Sequence, residues 1–220
     1  MGFSLVGEGL LRAHLPEASW RPLVAKLGYS VGFILVILGR QQLFTENTLT
    51  PILPLLEKRD RRTLFNVLRL WLIVLFTNLL GGALFAWALA KTDVFEPSIR
   101  EVFFTLAREA VSPTFGQLLW RGVFAGWLIA MTVWLLPFAE SARLWVIILL
   151  TYLIGVGRLS HVIAGSIEAY TLAVSGQLSW GAALGGYTLP SLIGNIIGGV
   201  ALVACVNHAQ VVAGRDAEDD

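Results

Sequence analysis

Long runs without charged residues divide this chain into lengths that suit a lipid bilayer. Residues 70–90, 122–139 and 169–214 contain no Asp, Glu, Lys or Arg. A polar break at residues 175–177 separates the end of one helix from a last span at about residues 182–208. Because a bilayer crossing needs about 20 mostly apolar residues, the pattern predicts transmembrane helices in these segments.

Two further apolar runs are too short to cross a bilayer alone. Residues 27–39 and 144–157 each stop at a Gly-Arg pair, pass through a polar patch, and resume as residues 49–56 and 162–173. We interpret both as helices that are broken inside the membrane. The N-terminal residues 2–11 form a partial span, which completes a set of six.

The composition supports an integral membrane protein. Hydrophobic residues make up 56% of the 220 residues and charged residues only 14%, against roughly 25% charge in a soluble domain. The net charge of +1 gives no basic surface for nucleic acid. A single cysteine, Cys205, excludes an intrachain disulfide framework and a cysteine-clustered metal site. No cofactor is expected.

The basic residues of the loops predict the orientation. Residues 57–62 carry the densest basic cluster, which places that turn in the cytoplasm of a multi-pass protein of the cell (inner) membrane. Both termini then lie inside, including the acidic tail 213–220. Residues 91–117 lie outside, with a short surface helix over about 97–110. Arg12, Arg21 and Lys26 would also face outward, against the rule.

Self-comparison reveals an internal repeat. Gly39-Arg40 recurs as Gly157-Arg158, 118 residues later, and Asn78-Leu-Leu-Gly81-Gly82 recurs as Asn195-Ile-Ile-Gly198-Gly199, 117 residues later. Each repeat has three spans, an odd number, so the two copies cross the membrane in opposite senses. The prediction is one all-α domain over residues 1–220, with a 3+3 inverted repeat (about 1–91 and 115–208) and broken second and fifth helices.

The breaks indicate where a solute would pass. Hydrocarbon cannot satisfy the freed backbone groups, which must therefore face a polar cavity or a ligand. Thr50-Pro51 and Ser160 are predicted to start the two second half-helices, whose positive ends favour an anion. The glycine pairs of the third and sixth spans predict close helix contacts.

The repeat also bears on the first span. Met1 corresponds roughly to Arg121, which already lies inside the fourth span. The opening helix is therefore expected to lack about ten residues of a full crossing, through truncation or a misplaced start.

His161 is the candidate for chemistry at membrane depth. A buried histidine there either takes and gives a proton near neutrality or caps a helix against the backbone. Four charged residues also fall in or next to the breaks: Arg40, Arg158, Glu46 and Glu168. They form either structural ion pairs that join the two halves or an anion-attracting vestibule built around the arginines.

Several motifs resemble the formate/nitrite transporter family. The second helix and its loop read Tyr29-Ser-Val-Gly-Phe33 and Gln42-Leu43-Phe44-Thr45-Glu46-Asn47-Thr48. The fourth and sixth helices read Arg121-Gly122-Val-Phe-Ala-Gly126-Trp127-Leu128 and Leu192-Ile-Gly194-Asn195-Ile-Ile-Gly198-Gly199. The resemblance covers about residues 22–208. It implies an aquaporin-like protomer, a homopentamer with one pore per subunit, and passage of formate, nitrite or hydrosulfide.

The resemblance also assigns residues. His161 would be the central histidine and Thr45 the loop threonine that bonds it. Leu43, Phe33 and Ala164 would form the cytoplasmic constriction, and Tyr29 with Ile154 the outer one. Phe44 is a further candidate for the lining of the path. All of these apolar residues are also compatible with plain packing.

The chain also departs from the family pattern. The histidine loop reads Arg158-Leu-Ser-His161-Val-Ile-Ala-Gly165, without the family's acidic residue before the histidine and asparagine after it. Gly126 replaces a fourth-helix asparagine, and Ala110 stands nearest the register of an outer lysine. These departures are similar to the divergent YfdC-like branch.

The sequence thus predicts a passive or proton-coupled pore for a small monovalent anion, with a proton supplied from or through His161. One alternative is a same-fold pore for a neutral or cationic solute, if Glu46 and Glu168 face the lumen. Another is a structural or accessory membrane subunit that no longer conducts. An enzyme is not expected, because the histidine lacks a nearby nucleophile or metal-ligand set.

Overall fold

The uncharged stretches form helices in a computed structural model that describes residues 1–204. Every regular element among these residues is helical. Arg21–Leu38, Arg61–Lys91 and Phe115–Phe138 are each long and apolar enough to cross a bilayer unaided. The prediction that the segment at residues 27–39 is too short to cross alone is therefore wrong, because helical turns from Arg21 onward extend it. The acidic tail 213–220, Cys205 and the end of the predicted last span lie outside the described residues.

The α-helices, in chain order, are α1 (Gly2–His14), α2 (Arg21–Ala25), α3 (Ser30–Leu38), α4 (Ile52–Lys58), α5 (Arg61–Lys91), α6 (Pro97–Val111), α7 (Phe115–Leu135), α8 (Arg143–Val156), α9 (Val162–Ser175) and α10 (Leu189–Ile196). A 3₁₀ turn, Lys26–Tyr29, joins α2 to α3, and a second, Glu46–Thr48, precedes α4. π-Helical turns, Ala182–Thr188 and Ile197–Ala204, flank α10.

The first break begins at the end of α3. The backbone N–H of Gln41 donates to Val36 O at 2.9 Å, which closes the last turn. Arg40 between them is left-handed, with φ 51°. Glycine usually occupies this position, because a side chain there is sterically strained.

The second break repeats this geometry. The N–H of Leu159 donates to Ile154 O at 3.0 Å, and Arg158 is left-handed with φ 49°. The Gly-Arg repeat therefore marks the same helix ending in both halves. The fold confirms the broken second and fifth helices. In both halves an arginine adopts the same strained backbone conformation.

Glycines bring the fourth and sixth spans into close contact. A side chain at Gly126 would collide with the backbone of Asn195, and one at Gly194 with the carbonyl of Leu119, so only glycine permits this approach. In the third span Gly82 lies close to Ile167, but Gly81 has no neighbouring atom within 4 Å of a built Cβ. Within the described residues the predicted close helix contact is therefore seen at Gly82 and not at Gly81, which lines a cavity with Met1, Gln41 and Ile163.

Helix α6 lies against α1 and α9 at one end of the bundle, called here the surface-helix end. It buries Phe103, Leu106 and Ala107. The opposite end carries the turn between α4 and α5, where Asp60 caps α5 by accepting from Thr63 N–H at 2.8 Å. This end, rich in Lys and Arg, is called the basic-turn end.

Candidate permeation site

The two breaks meet inside the bundle. Thr45 Oγ1 of the first break lies 2.8 Å from His161 Nε2 of the second. Both side chains are buried, with exposed fractions of 0% and 1%. Residues separated by more than half the chain thus form one hydrogen bond at the junction of the repeats.

His161 is also the N-cap of α9. Its backbone is extended, with φ −98° and ψ 121°, and its Nδ1 accepts the N–H of Ala164 at 3.2 Å. Since Nδ1 accepts, the proton of the neutral ring is on Nε2, which donates to Thr45 Oγ1. The prediction that Ser160 caps this helix is wrong, because the extended residue beside the first turn is His161.

Asn195 fixes the loop that carries His161. Its Oδ1 accepts the N–H of Val162 at 2.8 Å, and its Nδ2 donates to Ser160 O at 2.8 Å and to Gly122 O at 2.9 Å. The side chain is fully buried. One amide therefore satisfies backbone groups on both sides of the histidine and ties them to α7.

Asn78 fixes the first break in the same way. Its Oδ1 accepts the N–H of Phe44 at 3.0 Å, and its Nδ2 donates to Gln42 O at 3.1 Å. The repeated Asn-x-x-Gly-Gly motif thus has a physical meaning, since each asparagine spans one broken helix. Sequence reasoning found the motif but not this role.

The hydrogen bonds around the second break bear on the prediction that free N–H groups at the helix starts bind the anion. The N–H groups of Val162 and Ala164 already have partners in the chain. Helix α4 also starts differently from the prediction, because its N-cap is Pro51 and no side chain caps it. The helix thus begins one residue later than predicted, and its N-cap Pro51 has a right-handed helical backbone.

An apolar cluster surrounds the histidine. All six predicted constriction residues belong to it and are buried: Tyr29, Phe33, Leu43, Phe44, Ile154 and Ala164. The Phe33 ring meets His161 edge-on at 5.0 Å between ring centroids, whereas Phe44 packs against Trp71 at 6.0 Å. Phe33 is thus in direct contact with the histidine, and Phe44 contacts α5.

Cavities lie at both ends of this cluster. Tyr29 and Ile154 line a small cavity of about 60 Å³ at the surface-helix end, called the upper cavity. Ile37 and Leu136, which pack on the cluster, line a larger one of about 540 Å³ at the basic-turn end, called the lower cavity. The cluster and His161 therefore separate two solvent-sized spaces.

The four charged residues near the breaks divide between these cavities. Arg158 and Glu168 line the upper cavity, and Arg40 and Glu46 line the lower one. The Oε1 atom of Glu46 is buried without a hydrogen-bond partner in the part of the chain that the structure describes. Each cavity therefore presents one arginine and one carboxyl group of the predicted set.

The arginines make few ion pairs. Within residues 1–204, Arg40 has no carboxylate within 4 Å. Arg158 reaches Glu109 Oε2 of α6 at 3.7 Å, while its side chain is 63% exposed. Among the described residues, Arg40 and Arg158 therefore do not form the two ion pairs that would join the halves.

Sequence reasoning missed two ion pairs at the surface-helix end. Lys26 Nζ lies 2.5 Å from Glu8 Oε1, and Arg12 Nη2 lies 2.7 Å from Glu109 Oε1. Burial alone would raise the pKa of the Glu109 carboxyl, but the hydrogen bond and charge of Arg12, with the charge of Arg158, hold it below its usual value. The sequence could have indicated the pair of Glu8 and Lys26, because both are charged residues within apolar segments.

A helical bundle of two inverted three-span repeats, with broken helices meeting at one buried histidine, defines a membrane transporter or channel. The chain belongs to the formate/nitrite transporter family, since the family model described as formate/nitrite transporter matches residues 1–209.

Similar proteins agree with this assignment. The inner membrane protein YfdC of Escherichia coli (strain K12) is 38% identical over 211 residues, which cover 96% of this chain and 68% of that protein. The formate channel BtFdhC of Bacillus thuringiensis is 27% identical over 204 residues, covering 86% of this chain and 74% of the relative. The resemblance seen in the sequence is thereby confirmed.

The fold matches a solved structure described as a pentameric formate channel with formate bound. The TM-score is 0.78 at 20% sequence identity, over 96% of this chain and 92% of the other. The match confirms the all-helical channel fold that the repeat and the motifs predicted.

Proposed function

We propose that the protein is a passage for small monovalent anions such as formate, nitrite or hydrosulfide. The observation that carries the proposal is the buried Thr45–His161 bond, which places a hydrogen-bond donor between two cavities. A small anion accepts hydrogen bonds and so can replace Thr45 at Nε2. The family relationship and the named formate channel support the same substrate class.

The arginines attract the anion toward the site. Arg158 lines the upper cavity and Arg40 the lower one, and neither is held in a close ion pair among the described residues. A positive guanidinium at each mouth raises the local concentration of anions. Tyr29, Ile154, Phe33, Leu43 and Ala164 then form the apolar constrictions that exclude hydrated ions.

His161 acts as a neutral donor in this mechanism. A proton on Nδ1 would remove the bond from Ala164 N–H and place a positive charge at a helix N-terminus, where the macrodipole disfavours cations. The proton linkage through His161 that the sequence suggested would therefore break the cap of α9. Any proton that accompanies the anion needs another source.

The relatives support an assembly, and the loop charges support an orientation. We infer a homopentamer in the inner membrane, by analogy with the pentameric formate channel and the inner membrane protein YfdC. The basic turn and both termini face the cytoplasm, as the positive-inside rule predicts. No catalytic role is assigned, because the family is described as formate/nitrite transporter and BtFdhC is named a formate channel.

Anion uptake by proteoliposomes tests the proposal. The informative variant is His161→Asn, because asparagine still caps a helix but removes the Nε2 donor that faces Thr45. Formate or nitrite uptake should fall while the protein stays folded. Absence of uptake of any small anion by the wild type, at any pH, would contradict the proposal.

The lower cavity favours one second candidate. Glu46 lines it beside Arg40 and has a carboxylate oxygen without a partner in residues 1–204. A carboxylate there suits a cationic or neutral solute. Reversal potentials in an ion gradient distinguish the two, since an anion pore and a cation pore give opposite signs.

The closed cluster favours the other alternative, a subunit that does not conduct. His161 is 1% exposed, and apolar side chains separate the two cavities. Widening the cluster with Phe33→Ala opens the space beside the histidine. Uptake that stays at the level of empty vesicles in both wild type and this variant would favour the non-conducting subunit.

A further inference from the structure

Glu8, Glu109 and Glu168 are three carboxyl groups near the upper cavity, and the first two form ion pairs. Glu8 holds Lys26 at 2.5 Å, and Glu109 holds Arg12 at 2.7 Å and Arg158 at 3.7 Å. Glu168 makes no ion pair and no side-chain hydrogen bond with any residue in the described range 1–204. It is therefore the carboxyl group that remains available to a solute.

Glu168 lines the upper cavity together with three cationic residues. These come from three elements: Lys26 from the 3₁₀ turn after α2, Arg121 from α7, and Arg158 from the second break. The last span contributes the uncharged Tyr187. An anion drawn in by these cations arrives within the same small space as the Glu168 carboxyl.

The charged groups around this space are not confined to α9. Helix α1 contributes Glu8 and Arg12, and α6 contributes Glu109, each of them in an ion pair. Their partners hold these charges in place. Of these carboxyl groups, Glu168 is thus the one whose protonation state can change without the loss of an ion pair among the described residues.

Helix α9 connects Glu168 directly to the histidine. His161 caps the helix, Gly165 follows four residues later and Glu168 seven residues later, so all three share one face. Seven residues correspond to a rise of about 10 Å. Gly165 also lines the cavity, and the Tyr187 hydroxyl packs against it in the space that a side chain would fill, so Tyr187 lies beside this face between Glu168 and His161. A solute that leaves Glu168 therefore has about two helical turns to travel before it reaches His161.

We propose that Glu168 is the proton-exchange residue of the upper cavity, a role that rests on the proposed anion passage. Its carboxylic acid transfers a proton to the bound anion A⁻, so that one O–H bond breaks on Glu168 and one bond to hydrogen forms on the solute. The neutral acid HA crosses the apolar cluster. The Glu168 carboxylate then takes a proton from water at the cavity mouth, and each cycle moves one anion and one proton.

The proposal narrows the substrate class. Only the anion of a weak acid, such as formate, accepts a proton from a carboxylic acid to a useful extent. The anion of a strong acid, such as chloride, does not. Because moving a bare charge through low dielectric is unfavourable, weak-acid anions gain a route through the apolar cluster that chloride lacks.

Formate uptake and lumen pH, recorded together in proteoliposomes, test this role. In the wild type, formate uptake should acidify the lumen by one proton per formate and should rise as the external pH falls. Glu168→Gln keeps the size and polarity but holds no exchangeable acid. Its proton-linked uptake should fall by about tenfold or more, while Glu168→Asp should restore the pH profile in part. Chloride uptake should be far slower in all three proteins.

Several results would overturn the role of Glu168. Unchanged uptake and acidification in Glu168→Gln would show that Glu168 does not exchange the proton. Faster uptake would show that Glu168 is a fixed negative charge that repels the anion. Chloride uptake equal to that of formate would contradict proton exchange. If Glu168→Gln does not fold, the pH profile of Glu168→Asp decides, and a profile identical to that of the wild type would refute the role of Glu168. A wild type without any anion uptake refutes the anion passage itself, whereas formate uptake without acidification refutes only the role of Glu168.

Discussion

Asn78 and Asn195 hold the two broken helices by the same pair of bonds. Each side-chain oxygen accepts a backbone N–H, of Phe44 at 3.0 Å and of Val162 at 2.8 Å. Each side-chain nitrogen donates to the carbonyl two residues earlier in the loop. The inverted repeat is therefore visible in individual hydrogen bonds, which position the loops that carry Thr45 and His161.

Replacing these asparagines should destabilise the protein unequally. Asn195→Ala leaves the buried carbonyls of Ser160 and Gly122 and the N–H of Val162 without their partner, at a cost of about 3 kcal/mol or more. Asn78→Ala should cost less, about 1 kcal/mol, because one of its bonds is only partly buried and the other is exposed. Thermal unfolding in detergent measures both. Asn195→Asp keeps the acceptor but turns an oxygen toward two carbonyl oxygens in a buried position, so it should be no more stable than Asn195→Ala. Equal losses for the two alanine variants would contradict the greater burial of the second break.

Thr45→Val should impair uptake more than Thr45→Ser. Valine matches the shape of threonine but leaves the buried Nε2–H of His161 without an acceptor, which costs about 1–3 kcal/mol. Serine retains the hydroxyl. Formate uptake and thermal stability, measured together, separate the loss of the site from the loss of the fold. Equal uptake and equal stability of the valine and serine variants would show that the 2.8 Å contact between Thr45 and His161 does not contribute to function.

Arg158→Gly should stabilise the protein and weaken anion uptake. Glycine removes the strain of a side chain at φ 49°, worth about 1 kcal/mol, and should raise the Tm by about 2–4 °C. It also removes a guanidinium from the upper cavity. Arg158→Lys is the control, since it keeps the strain and the charge. The loss in the glycine variant should be largest at low salt, where charge attraction is least screened. A glycine variant that is less stable than the wild type would show that Arg158 has a structural role instead.

Acid should weaken the contact between α6 and α1. The pKa of Glu109 lies below its usual value because Arg12 bonds and faces the ionised form. A lowered pKa in the folded state gives stability that is present above the unfolded value of 4.5 and is lost as the pH falls through the folded value. Wild type should therefore exceed Glu109→Gln in Tm at neutral pH, and the difference should shrink in acid. A difference that grows in acid would contradict this sign.

Particular residues show how far the sequence could predict the fold and site. The Gly-Arg pairs marked both breaks correctly, because a charge in an apolar run cannot continue a lipid-facing helix. The cap residues could not be predicted in the same way. Ser160 and His161 are adjacent and both accept hydrogen bonds, so the backbone angles alone decide which one caps α9.

The pattern of apolar and charged residues by itself determined a six-span helical bundle, the two breaks and the inverted repeat. It did so because hydrocarbon tolerates neither free backbone groups nor unpaired charge. Only the tertiary structure decided that Lys26 is tied to Glu8, that Glu168 has no ion pair among the described residues, and that His161 bonds Thr45 through Nε2. These contacts join residues that are distant in the chain, and their geometry depends on how the helices pack, which no local pattern encodes.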